Sequence, residues 1–196
     1  MKIGIFGGTF DPPHIGHINA VSSAKRMLSL DRVIVVPAYV SPFKINREVT
    51  APEHRLEMAK LAFDKPFSDI SDYEVSKGGV SYTIDTIRHF AGLYPNSAYT
   101  LILGTDAFLG FDKWYKYREI LSLVNLAVVA RSAEDTEKIA EKERFFKGNA
   151  EVNVVKVTPI PISSSQIREN PQTYRKFLTE NVYEYIEKNG LYTNEL

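Results

Sequence analysis

Apolar, β-branched runs alternate along the chain with stretches of helical period, the pattern of an α/β protein. Short apolar runs predict strands at 2–6 (KIGIF), 32–36 (RVIVV), about 69–75 (DISDYEV), 99–103 (YTLIL), 124–129 (VNLAVV) and 152–157 (VNVVKV). Most are apolar at nearly every position, as a strand is when both faces of a parallel sheet are covered. Helical spacing fills the intervals at about 16–29, 52–63, 82–93, 105–109 with 114–122, 134–146, and 164–169 followed by 180–188. Pro52 sits where a first helical turn tolerates a missing N–H, and Gly190 follows the last periodic stretch as a helix stop. The charged stretch 133–148 reads as a helix with one solvated face and Ile139, Phe145 and Phe146 turned inward.

Strand and helix alternating through short connections imply right-handed crossovers. The expected architecture is therefore α/β, a Rossmann-like open, mainly parallel sheet with helices on both faces. One compact domain over 1–196 is expected, with the C-terminal helical segment at about 163–190 packed on it. In such sheets ligands bind at the carboxyl ends of the strands. The segments that follow the strands are GGTFDPPHIGH, PAYVSPFK, GTDAF, ARSAED and TPIPISSSQIR, so the unusual polar chemistry converges on one edge.

The first of these loops matches neither a G-x-G-x-x-G nor a P-loop. Gly7 and Gly8 can still take positive φ and let backbone N–H groups approach an anion, or simply make a tight turn. If a helix starts near Ile15, His14 and His17 lie one turn apart at its N-terminus. That end of a helix disfavours an imidazolium and attracts phosphate. Three readings fit the pair: a helix cap, metal ligation with Asp11, for which Asp106 could supply a further ligand, and phosphate-handling catalysis. Near the other terminus, Ser163 to Gln166 fits a capping box, while Arg168 is expected in the first helical turn, where the macrodipole opposes a cation. Hydroxyls, helix N–H groups and an arginine together suit a polyphosphate.

Composition narrows the partners. Lys+Arg and Asp+Glu both number 24, giving zero formal charge, so no global field holds a polyanion or a membrane surface. Neither a basic stripe nor interleaved basic and aromatic residues favours nucleic acid. The absence of cysteine excludes disulfides, thiolate metal sites and a thiol nucleophile. No run approaches a membrane span and no signal peptide is evident, so a cytoplasmic protein is expected. The letters HIGH also occur in class I aminoacyl-tRNA synthetases, but a KMSKS loop and a tRNA surface are missing here.

With both loops in view, the chain resembles the nicotinate-mononucleotide adenylyltransferases, members of the HxGH nucleotidylyltransferases. GIFGGTFDPPHIGH, SYTIDT at 81–86, LILGTDAF at 101–108, KWYK at 113–116 and ISSSQIR at 162–168 carry the resemblance. It implies attack by the 5′-phosphate of nicotinate mononucleotide on the α-phosphorus of ATP, with Mg²⁺ accompanying ATP. It further implies that His14, His17, Lys44 and Arg168 are catalytic. ATP would be bound by Gly7, Gly8, Thr9, Phe10, Gly16, Asp106, Arg131, Ile162, Ser164 and Ser165, with Gly16 leaving room for the adenosine. The pyridine nucleotide would meet Thr9, Lys44, Tyr82, Thr83, Asp106 and Trp114. No protein-held metal is implied, and assembly into a homo-oligomer is left open. Other readings stand beside these: Trp114 with Tyr115 and Tyr117 as a core stripe, Thr83 or Asp106 as helix caps, another acceptor such as nicotinamide mononucleotide or phosphopantetheine, or a nucleotide sensor without catalysis. Phe43, Ser132 with Ala133, and Ser165 depart from residues common in relatives.

Overall fold

The computed structural model describes residues 1–193 apart from Asn46, Lys147 and Asn149. Its strands are β1 (Lys2–Gly8), β2 (Arg32–Pro37), β3 (Ser68–Ile70), β4 (Ala98–Gly104), β5 (Asn125–Ala130) and β6 (Val152–Lys156). They form a sheet of order β3-β2-β1-β4-β5-β6, the arrangement of doubly wound dinucleotide-binding folds. β1 pairs with β4, β4 with β5 and β5 with β6, all parallel. The α/β reading of the hydrophobic pattern therefore holds.

The helices are α1 (Ile15–Met27), α2 (Pro52–Ala62), α3 (Tyr73–Lys77), α4 (Thr83–Leu93), α5 (Thr105–Leu109), α6 (Tyr117–Leu123), α7 (Ala133–Glu143), α8 (Ser164–Glu169) and α9 (Glu180–Lys188). Contacts cluster into two compact units. The first is Met1–Gly7, Ala20–Ile34 and Tyr82–Pro159; the second is Gly8–Asn19, Val35–Ser81 and the stretch from Ile160. In the first, Ile3, Ile5, Leu101, Ile102 and the Leu126–Val128 run are buried, each large side chain contributing about 1.5–3 kcal/mol. In the second, α2 packs against α9, and His54 Nδ1 meets the Tyr185 hydroxyl at 2.9 Å between them.

Several expectations require correction. The strand expected at about 69–75 stops at Ile70, because the Ser71 hydroxyl accepts from Tyr73 N and the chain turns into α3. The helix expected at 114–122 begins only at Tyr117: residues 111–113 form a 3₁₀ turn, and Lys116 takes a left-handed φ of 55° before α6. Helix α7 ends at Glu143, which leaves Phe145 exposed, with the Lys142 ammonium 5.2 Å from its ring centroid. Ile139 and Phe146 are buried as expected.

Candidate functional site

The second unit gathers the loop after β1 and the segment leading into α8. Helix α1 begins at Ile15, so His14 and His17 do stand at a helix N-terminus, their ring centroids 3.8 Å apart. His14 Nδ1 accepts from Gly16 N and His17 Nδ1 accepts from His14 N, each at 3.2 Å. An Nδ1 that accepts carries no proton, so these bonds set both imidazoles as neutral Nε2–H tautomers. Each ring then offers a donor without adding a charge to the helix N-terminus.

Gly16 has a steric role that its position in the motif does not announce. A Cβ there would lie 2.9 Å from His14 Nδ1 and 3.0 Å from Cε1, so the imidazole occupies the space a side chain would fill. The room at Gly16 thus serves His14. The left-handed turn in this loop is also not made by Gly7 or Gly8, which lie in β1; it falls on Phe10, with φ 52°. Phe10 is buried, its ring 5.3 Å from that of His17 and 5.6 Å from that of Phe63. A Cβ on Gly8 would come within 2.8 Å of the Phe10 ring.

The C-terminal segment ties directly to this loop. Ser164 Oγ donates to Pro12 O at 2.9 Å, and Arg168 Nη1 donates to Asp11 O at 2.8 Å. Arg168 Nη2 donates to Ser165 Oγ at 3.3 Å. The capping box forms as expected, with Ser163 Oγ accepting from Gln166 N and Gln166 Oε1 accepting from Ser163 N. Ile162 is buried, its Cγ2 4.0 Å from the Cβ position at Gly16. Arg168, however, is in the last turn rather than the first, since α8 has only six residues and ends before Pro171. The macrodipole there favours a cation, and the anticipated repulsion is absent.

Lys44 lies in a 3₁₀ turn, Pro42–Lys44, that Ser41 caps, and it lines a cleft with Thr9, Tyr39, Ser41, Arg47 and Arg55. Burial, and next the neighbouring Arg168, lower the Lys44 pKa. Phe43 beside it is exposed. Two further residues shape this region: Arg55, which sequence reasoning passed over, and Asp11, which it considered only as a metal ligand. Arg55 is 1% exposed and donates Nε to Thr50 O, Nη1 to Thr9 O and Ala38 O, and Nη2 to Tyr39 O, at 2.6–2.8 Å. It pins the loop after β1 to the segment after β2. Asp11 is 3% exposed; its Oδ2 accepts from Thr50 N at 3.3 Å and its Oδ1 from the Tyr192 hydroxyl at 2.7 Å. Both carboxylate oxygens are thus engaged within the protein.

The remaining sequence-predicted residues belong to the first unit. Trp114 is half-buried, its ring 5.1 Å from that of Phe111. Tyr115 next to it is exposed and so stands outside the core stripe, whereas Tyr117 also meets Phe111, at 6.5 Å; the Tyr115 ring lies 4.8 Å from that of Tyr82. That contact brings Tyr82 and Thr83 to the Trp114 segment. Neither Thr83 nor Asp106 caps a helix: Tyr82 and Gly104 hold those positions, without a side-chain cap bond. Gly7 lies near the end of β1. At the ends of β4 and β5, Thr105 Oγ1 donates to Val129 O at 3.0 Å, and Arg131 Nη2 lies 3.7 Å from the Cβ position at Gly104. Arg131 and Asp106 are thus on neighbouring strand ends. Ser132 caps α7 by accepting from Asp135 N, so that departure from relatives supplies a helix start.

Comparisons with known proteins add to this geometry. Residues 5–170 match the family model described as Cytidylyltransferase-like. A protein named "Probable nicotinate-nucleotide adenylyltransferase" from Desulfitobacterium hafniense (strain Y51) is 37% identical, over 97% of this chain and 95% of its own. One of the same name from Hydrogenobaculum sp. (strain Y04AAS1) is 35% identical over 98% of both chains. Among solved structures, the Plasmodium falciparum nicotinic acid mononucleotide adenylyltransferase complexed with NaAD superimposes with a TM-score of 0.76, at 18% identity, over 97% of each chain. At that identity the superposition bears on the fold alone. Among the described residues no helix is long and apolar enough to cross a membrane.

Proposed function

We propose, for a chain that belongs to the cytidylyltransferase-like family and within it to the nicotinate-nucleotide adenylyltransferases, that it transfers AMP from ATP to nicotinate mononucleotide in NAD synthesis. A 5′-phosphate oxygen of nicotinate mononucleotide attacks the α-phosphorus of ATP. The bond from that phosphorus to the β-bridging oxygen breaks, its electron pair leaves with pyrophosphate, and nicotinate adenine dinucleotide forms. The nucleophile is already an anion, so no proton need be removed and catalysis rests on positioning and charge.

The observation that carries this reading is the tie between distant segments: Arg168 and Ser164 bond to Asp11 and Pro12, in the loop that bears His14 and His17. In our assignment the Nε2–H groups of His14 and His17 donate to the α-phosphoryl oxygens, where charge grows, each worth about 2.7–4 kcal/mol. Arg168, Ser164 and Ser165 hold the departing phosphates, Lys44 stands by the incoming phosphate, and Gly7, Gly8, Thr9, Phe10, Gly16 and Ile162 shape the backbone around the nucleotide. Asp106 and Arg131 contact the nucleotide, and Trp114 with Tyr82 and Thr83 takes the pyridine ring, since an electron-poor ring stacks well on indole. A divalent cation, Mg²⁺ in this reading, enters with the triphosphate and spreads its charge; no group of three or more His, Asp or Glu side chains among the described residues forms a cage for it.

The test is incubation with ATP, Mg²⁺ and either nicotinate or nicotinamide mononucleotide, with product identification. Nicotinate adenine dinucleotide and pyrophosphate in equal amounts are expected. Binding of ATP with no product from either acceptor would leave a nucleotide sensor instead.

A further inference from the structure

Tyr192 is a tail residue with a buried task. After α9, Gly190 takes φ 58°, with Gly190 N donating to Glu187 O and Leu191 N to Ile186 O, a Schellman turn that reverses the chain. Tyr192 follows at φ 60°, a left-handed conformation unfavourable for a side chain of its size. Its hydroxyl donates to Asp11 Oδ1 at 2.7 Å and lies 3.9 Å from Met58 Sδ. Burial, and next the Asp11 charge, push the phenol pKa up, so the hydroxyl stays protonated and remains a donor.

Asp11 has a competing partner. Its Oδ2 is 3.9 Å from Arg168 Nη1, well beyond the roughly 2.7–2.9 Å of a formed arginine–carboxylate bond. Arg168 instead spends Nη1 on the Asp11 backbone carbonyl and Nη2 on Ser165, and its side chain is 33% exposed and able to shift. A nearly buried carboxylate deprived of one donor takes the nearest cation, which here is the arginine assigned to the leaving phosphates.

We infer that Tyr192 is a positioning residue for the triphosphate: its hydroxyl holds the Asp11 carboxylate off Arg168, keeping the guanidinium available to phosphate oxygens. This rests on the function proposed above. In Tyr192→Phe, Asp11 pairs with Arg168 and competes with the nucleotide.

The test measures binding of inorganic tripolyphosphate by calorimetry, and the KM values for ATP and nicotinate mononucleotide, in wild type, Tyr192→Phe and the double variant Tyr192→Phe/Asp11→Asn. Tyr192→Phe should weaken tripolyphosphate and raise the KM for ATP by roughly tenfold, the scale of one lost charge-assisted contact, with the KM for nicotinate mononucleotide unchanged. The double variant has no carboxylate to compete and should return both readouts to near wild type. Asp11→Asn keeps an amide oxygen that can accept from Thr50 N, and a urea melt of each variant separates a folding loss from a binding loss should Tyr192→Phe fold poorly. A double variant as weak as Tyr192→Phe, or equal losses for both substrates, would mean that Tyr192 only anchors the tail. Wild type that does not bind tripolyphosphate removes the nucleotide reading and this inference with it; wild type and Tyr192→Phe binding equally well removes the inference alone.

Discussion

Replacing Gly16 with alanine isolates the geometry of His14 from the stability of the helix that carries it. The added methyl would sit 2.9 Å from His14 Nδ1 and 3.0 Å from Cε1, where ordinary contact needs about 3.4 Å or more, so the ring must retreat by about half an ångström. That retreat stretches the Gly16 N to Nδ1 bond of 3.2 Å past useful length and frees the ring to turn. A misplacement of this order at a preorganised donor costs about 10²-fold in kcat, or roughly 2.7 kcal/mol. Helix propensity runs the other way: alanine gains up to about 1 kcal/mol over glycine in a helix interior and less at the second residue of α1, which offsets part of the local strain. Gly16→Ala should therefore unfold in urea within about 1 kcal/mol of wild type while losing about 10²-fold in kcat for dinucleotide formation. Full turnover in a folded Gly16→Ala protein, or a loss of activity matched by a loss of several kcal/mol of stability, would refute the idea that Gly16 exists to seat the imidazole.

Three further outcomes follow from named contacts. Arg55→Met strips the charged donor from four backbone carbonyls and should destabilise the protein by about 4 kcal/mol or more in a urea melt; a change under 1 kcal/mol would show the network to be incidental. Because burial and then Arg168 lower the Lys44 pKa beneath its ordinary 10.5, the ammonium is lost on the alkaline side earlier than an exposed lysine would lose it. The KM for nicotinate mononucleotide should accordingly rise with pH below 10.5, and Lys44→Arg, which does not titrate there, should flatten that limb; identical profiles would contradict the assignment. Trp114→Ala should weaken binding of nicotinate mononucleotide by about 1–2 kcal/mol with ATP affinity intact, and equal losses for both ligands would move the pyridine ring elsewhere.

Most strands were legible because they are nearly continuous apolar runs, and burial on both faces demands that pattern without reference to any partner strand. β3 is the exception: its three residues and the turn into α3 depend on Ser71 accepting from Tyr73 N, a choice that propensity does not encode. At the site, spacing alone placed His14 and His17 at a helix start, and the Ser-x-x-Gln pattern announced the cap at Ser163. Arg55 left no signal, since an arginine in a helix reads as a solvated residue until tertiary structure supplies four carbonyls around it. Tyr192 gave half of one: Gly190 marks the helix stop, but the partner, Asp11, lies 181 positions away. The steric tie of Gly16 to His14 left no signal, because the neighbour that fills the space stands two residues earlier and folds back onto the glycine's own N–H. Local pattern reports elements and caps; side chains that serve a distant backbone become visible only once the chain is folded.

The most direct test is a crystal structure with an ATP analogue whose α–β bridge cannot be cleaved. His17 Nε2 and the Arg168 guanidinium should both lie within hydrogen-bond distance of one triphosphate, the first at its α-phosphoryl group and the second towards its far end. A triphosphate that touches only one of the two, with the other turned to solvent, would contradict the shared grip on which the proposed reaction depends.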